Sequence, residues 1–144
     1  MKLLKLLIPV LILSGCSSKQ GSTITSESIE LSYSMVEDKH INWSSVFEIQ
    51  SSDYFVYIYS STCGHCGEIK ELVISYALSH DNFFFITYSN EIPVIQDKES
   101  VIGKTKVEDI GVAGTPELFR IESHVLTENI VGSKAIFETL TNDV

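Results

Sequence analysis

Arginine is almost missing from this chain. Of 144 residues only Arg120 is arginine, and nineteen acids outweigh ten bases for a formal net charge of −9. There is no basic stripe to meet a phosphate backbone, so nucleic acid is not an expected partner. Cysteine is scarce and odd in number: Cys16, Cys63 and Cys66. Three cysteines do not make a disulfide scaffold. A second Cys pair is missing, and His40, His80 and His124 show no ligand spacing. A structural zinc, which takes four ligands, is therefore not expected, and neither is any cofactor. The chain also lacks an internal repeat. What is present is a 44% hydrophobic composition, enough for a packed core in one domain of ordinary size.

The N-terminus accounts for the odd cysteine. Residues 1–16 read MKLLKLLIPVLILSGC. Lys2 and Lys5 form a positive start, Leu6 to Leu13 an apolar stretch, and Ser14 and Gly15 a small-residue cleavage site. This is the layout of a secretory signal peptide. The apolar stretch falls short of the about 20 residues a bilayer span needs. Leu13-Ser14-Gly15-Cys16 resembles the bacterial lipobox. That resemblance implies removal of residues 1–15 and a diacylglycerol on the Cys16 sulfur. Loss of Lys2 and Lys5 takes the formal charge from −9 to −11. The mature protein is then expected as a monomer on the extracytoplasmic face of the cell membrane, where disulfides persist. Residues 16–37, rich in Ser and Thr, read as the lipidated end and a flexible tether. Residues 38–144 are left for the domain.

Within that domain Asn42 to Gln50 fits a short helix capped by Asn42, with Trp43, Val46 and Phe47 on one face. Tyr54 to Ser60 and Phe83 to Tyr88 are aromatic and β-branched, as buried strands are. Between them Ile69, Leu72, Val73 and Tyr76 recur at helical spacing, so Cys63 to Ser79 reads as a loop leading into a helix. Lys104 to Ile110 allows another short helix. Glu117 to Ile121 and Val125 to Val131 are strands joined by a polar turn. Ser133 reads as the cap of a last helix carrying Ile136, Phe137 and Leu140 on one side. The order α-β-α-β-α-β-β-α gives an α/β fold: a mixed central sheet with helices on both faces.

The chemistry sits at the first strand-to-helix junction, in Cys63-Gly64-His65-Cys66. This spacing brings two sulfurs together across one helical turn. A cysteine at a helix start is favoured as the thiolate, which is the reactive species. Cys63 would exchange with a substrate sulfur, and Cys66, one turn deeper, would resolve the mixed disulfide. Gly64 leaves the mouth open. His65, when protonated, would favour the thiolate and make the disulfide more oxidising. The plainer readings are half of a metal site, a structural disulfide, and a merely solvated His65.

Cys63-Gly64-His65-Cys66 is identical to the motif of protein disulfide isomerase domains, and Gly111-Val112-Ala113-Gly114-Thr115-Pro116 resembles the thioredoxin stretch that ends in a cis-proline. Over about residues 40 to 142 the chain thus resembles the thioredoxin superfamily. Thr62 and the run CGHCGEIK that follows it are similar to small thioredoxin-like accessory proteins of Gram-positive bacteria. The resemblance implies a thioredoxin-like three-layer sandwich and a cis Thr115–Pro116 bond beside the Cys pair. It also implies a substrate groove lined by Thr115 and Pro116. Two departures stand out. Thr62 replaces a tryptophan. Tyr57 stands where many members carry a buried Asp or Glu that moves protons for the second cysteine, which leaves water, Tyr57 or Glu68 for that task. The expected function is thiol–disulfide exchange on exported proteins, as an oxidase or isomerase, with a redox partner not identified by the sequence. The alternative is a lipid-anchored binding module with idle cysteines.

Overall fold

A computed structural model of the chain describes residues 29–143. The expected signal peptide, Cys16 and residues 17–28 of the expected tether lie outside the described residues. Among those described, no helix is long and apolar enough to cross a membrane.

Four strands form one mixed sheet in the order β2-β1-β3-β4: β1 Asp53–Tyr59, β2 Phe83–Thr87, β3 Glu117–Glu122 and β4 Val125–Val131. β1 runs parallel to β2 and antiparallel to β3, and β3 pairs antiparallel with β4. Every residue of β1 from Tyr54 to Tyr59 is buried, because β1 is an inner strand covered on both faces. Two residues, Ser123 and His124, connect β3 to β4, both with positive φ, as the tight hairpin turns matched to strand twist require.

Alternation along the strands separates two cores. Phe55, Tyr57 and Tyr59 of β1, with Phe83, Phe85 and Leu118, face three α-helices: α1 Gly64–Glu68, α2 Lys70–Ser79 and α3 Ser133–Asn142. Tyr54, Val56 and Ile58, with Phe119 and Ile121, face Val46, Ile92, Val101 and Val112. This second face is covered by 3-10 turns and irregular chain. The expected Lys104 to Ile110 helix is a single turn at Val107–Asp109, in a stretch interrupted by Pro93, Gly103 and Gly111.

Five further expectations are corrected. Asn42 to Gln50 contains only a 3-10 turn at Trp43–Ser45, without a side-chain cap from Asn42; its Trp, Ser and Val residues are middling helix formers. The Cys63 to Ser79 helix is broken at Ile69, whose φ is −113° and ψ 8°. The packed chain begins before residue 38: Tyr33–Lys39 is a 3-10 helix with Val36 fully buried, and Leu31 and Tyr33 pack on the helical-face core. Ser133 is the first residue of α3 rather than its cap, and Phe137 points to solvent with 50% exposure.

Candidate active site

β1 ends at Tyr59, and the chain turns through Ser60-Ser61-Thr62 to put Cys63 at the cap position of α1. The Cys63 N–H donates to Ser60 O at 3.2 Å, which closes the turn. Cys63 and Cys66 are joined by a disulfide, with Cα atoms 5.3 Å apart. The two sulfurs occupy different environments. Cys63 is half-buried, while Cys66 is 2% exposed within the helical-face core. The backbone N–H of Cys66 donates to Cys63 Sγ at 3.1 Å. Such a bond strengthens when its acceptor carries charge, so it favours a Cys63 thiolate once the disulfide opens. With α1 only five residues long, this direct bond is the local source of that preference, in place of a long helix dipole.

Thr115–Pro116 is a cis peptide bond. The Thr115 carbonyl oxygen lies 3.3 Å from Cys63 Sγ, and the Pro116 carbonyl accepts from Gly132 N–H at 2.9 Å. Residues 52 positions apart in the chain are folded so that this loop sits against the first sulfur. Glu117 holds the loop from behind: its Oε2 accepts the N–H groups of Ala113 at 2.8 Å and Gly114 at 3.2 Å. Its side chain is fully buried, and burial raises its carboxyl pKa against the opposing pull of Asn129, the two N–H groups and Lys98.

The mixed sheet and its helices have a counterpart among solved structures. The spinach chloroplast thioredoxin f, short form, superposes with a TM-score of 0.50 at 13% identity, covering 72% of this chain and 90% of its own. The fold is that of thioredoxin. Thioredoxins from Plasmodium falciparum (13% identity, 74% and 99% covered, TM-score 0.49) and Aeropyrum pernix (18%, 72% and 82%, TM-score 0.47) are similar as well. No family model matches the chain, and no curated protein matches it in sequence.

Set on the thioredoxin fold, the remaining site residues fall into place one by one. Gly64 is exposed, and a Cβ there would meet nothing within 4 Å, so space alone does not demand glycine. His65 is exposed, with Nδ1 3.2 Å from both carboxyl oxygens of Glu68. Ser133 Oγ donates to Glu68 Oε2 at 2.9 Å. Glu68 thus links α1 to the start of α3, and the Ser133 hydroxyl, then His65, lower its pKa. Its carboxylate is thus already engaged by Ser133 and His65.

Tyr57, the other proton-carrier candidate, is fully buried among aromatic rings, and its hydroxyl has no hydrogen-bond partner. Burial first, and the neighbouring Tyr33 next, raise its pKa far above the tyrosine range. It is a core residue. Sequence reasoning did not find Glu117, Tyr59, Tyr33 or His40 as site residues; His40 was considered only as a metal ligand and set aside for want of ligand spacing. Among the described residues, no group of three or more His, Cys, Asp or Glu side chains is placed to hold a metal.

Proposed function

We propose that this chain is a lipid-anchored, extracytoplasmic thiol–disulfide oxidoreductase acting on cysteines of exported proteins, as an oxidase or isomerase. The observation that carries the reading is the asymmetry of the pair. Cys63 is half-buried with an N–H aimed at its sulfur, and Cys66 is buried beneath it. A substrate thiolate attacks Cys63 Sγ, the bond to Cys66 breaks, and Cys66 leaves with the electron pair. A second substrate thiolate then attacks the substrate sulfur of the mixed disulfide. The substrate gains a disulfide, and Cys63 departs as a thiolate held by the Cys66 N–H. The two electrons end on the Cys pair, and an external disulfide donor restores it.

Two supports come from elsewhere in the chain. The leader and Cys16 favour a compartment where disulfides persist. His65, beside Cys63 in sequence, favours an oxidising pair when protonated. The protein works as a monomer whose lipid end and tether keep it at the membrane, with an extended client segment against Thr115 and Pro116.

The test is to express Cys66→Ala in the native host and isolate mixed disulfides on Cys63. Clients that are exported, cysteine-bearing proteins support the reading; a full-length protein that traps nothing, with a phenotype unchanged in Cys63→Ser, returns it to a binding module. Equilibration with glutathione fixes the direction. A potential near or below about −270 mV, that of thioredoxin, defeats the oxidase assignment. Labelled fatty acid incorporated into wild type but not into Cys16→Ala supports the anchor.

A further inference from the structure

Opening the disulfide presents a proton problem. Cys66 leaves as a thiolate in a site with 2% exposure, and a buried anion of this kind must be protonated or it resists the reaction. The reverse step, attack by Cys66 on a mixed disulfide, requires removal of that proton. Neither Tyr57 nor Glu68 is disposed to serve.

A cavity of about 330 Å³ adjoins both sulfurs, with Tyr33, Tyr59, Lys70 and Thr87 also in its wall. It has room and polar partners for water. The Tyr59 hydroxyl in that wall is bonded on its far side. It lies 2.8 Å from His40 Nε2, and Thr87 Oγ1 donates to it at 3.2 Å. His40 Nδ1 lies 3.0 Å from the carbonyl oxygen of Val36. A carbonyl only accepts, so Nδ1 carries a hydrogen and Nε2 is the nitrogen free to exchange its proton with Tyr59. His40 in turn borders two open surface depressions, one lined with Glu37 and the other with Glu91. Tyr59 is pinned by Tyr33, whose ring stacks on it at 3.9 Å, and His40 by Phe85, stacked at 5.3 Å.

We propose that His40, acting through the Tyr59 hydroxyl, carries the proton of Cys66 between the buried sulfur and solvent. In the oxidising direction a substrate thiolate bonds to Cys63 and the Cys63–Cys66 bond breaks. The Cys66 thiolate then takes a proton from Tyr59 O–H by way of cavity water, and Tyr59 recovers one from protonated His40 Nε2. His40 is left neutral and recharges from solvent on the Glu37 and Glu91 side. In resolution the same proton travels outward. Lys70 is the rival donor in the cavity wall, but its ammonium is engaged with Glu30 at 3.6 Å. The proposal rests on the exchange activity proposed above.

The experiment reduces the full mature chain, adds oxidised glutathione, and follows formation and decay of the Cys63–glutathione mixed disulfide by acid quench and mass spectrometry. Wild type is compared with His40→Gln, Tyr59→Phe and Lys70→Gln. Glutamine can hold both bonds of His40 without carrying a proton, and phenylalanine keeps the stacking of Tyr59. Near about pH 7, decay is expected to slow about tenfold to a hundredfold in both His40→Gln and Tyr59→Phe. The gap should narrow as pH rises, because hydroxide entering the cavity can take the proton without the relay. Alkylation of Cys63 and decay in Lys70→Gln should match wild type. Unchanged decay in the two variants, slowing by one factor at every pH, or slowing confined to Lys70→Gln overturns the relay. A wild-type protein that forms no mixed disulfide instead overturns the exchange activity itself, and the relay with it.

Discussion

Glu117 accepts the N–H of Ala113 at 2.8 Å through one carboxyl oxygen, while its other oxygen is buried without a partner. This asymmetry sets a dependence of stability on pH. Burial raises the folded-state pKa of Glu117 above its ordinary value of 4.5. A group raised in this way stabilises the fold fully below the unfolded pKa, and the contribution is lost as pH rises through the folded pKa. Glu117→Gln keeps an acceptor for Ala113 and Gly114 and carries no charge. It should be more stable than wild type at neutral pH by about 1 kcal/mol, with the difference vanishing towards about pH 4. Urea unfolding at several pH values checks this, and a wild type at least as stable as Glu117→Gln at neutral pH would refute it. Glu117→Ala leaves two loop N–H groups unpaired and should cost about 2 kcal/mol or more.

Glu68 lies between the Cys pair and α3. Its carboxylate receives the Ser133 hydroxyl and the His65 ring. Glu68→Gln removes a negative charge from the neighbourhood of Cys63. The Cys63 thiol pKa should fall by at most about one unit, since the exposed site is screened by solvent. Thiolate absorbance against pH in a Cys66→Ala background measures it. A rise would mean that Glu68 acts on Cys63 mainly by holding α1 in place. Because its pKa is lowered, the stabilising contacts of Glu68 are present above the unfolded pKa and lost as pH falls through the folded one.

Arg120, the lone arginine, gathers the C-terminal half. Its guanidinium reaches Glu128 at 3.1 Å, Asp143 at 3.0 Å and Glu122 at 3.7 Å, and lies 4.9 Å over the ring of Phe55. Asp143 also accepts the Tyr76 hydroxyl at 2.7 Å, so one planar cation ties β3 and β4 to the end of α3. Arg120→Lys loses the fork and should cost about 1 kcal/mol, and Arg120→Ala about 2. Both losses should shrink in high salt. Chemical denaturation at two ionic strengths tests it; equal losses at both would show that ring packing outweighs charge.

Gly111 is buried where two chain segments nearly touch. A Cβ there would come within 2.7 Å of both Pro93 O and Ile95 Cγ2. The first is backbone and cannot swing aside. Gly111→Ala should therefore destabilise by about 1–3 kcal/mol, read as a lowered urea midpoint, whereas Gly64→Ala, in open space, should leave stability nearly unchanged. A neutral Gly111→Ala would mean that the Pro93 loop yields easily.

The elements legible in advance were those whose pattern repeats. The two parallel strands follow from near-continuous aromatic and β-branched runs, the hairpin from two such segments about a polar turn, and α3 from helical spacing. The Cys pair was legible from four residues, and Pro116 from its neighbours. Lys104 to Ile110 and Asn42 to Gln50 were read as helical because apolar residues occur there. Their turns are set by prolines, glycines and contacts with the sheet, which spacing does not encode. Phe137 was assigned to the core by periodicity, yet it faces outward because α3 packs through Ile136 and Leu140.

Sequence alone marked the Cys63–Cys66 pair and the strand that delivers it, since each is written in adjacent residues. Tertiary structure decided what surrounds those sulfurs. Thr115 reaches Cys63 across 52 positions, and His40 reaches Tyr59 across 19. No local rule sets such distances, because they arise only when sheet register and packing bring remote side chains to the same few ångströms.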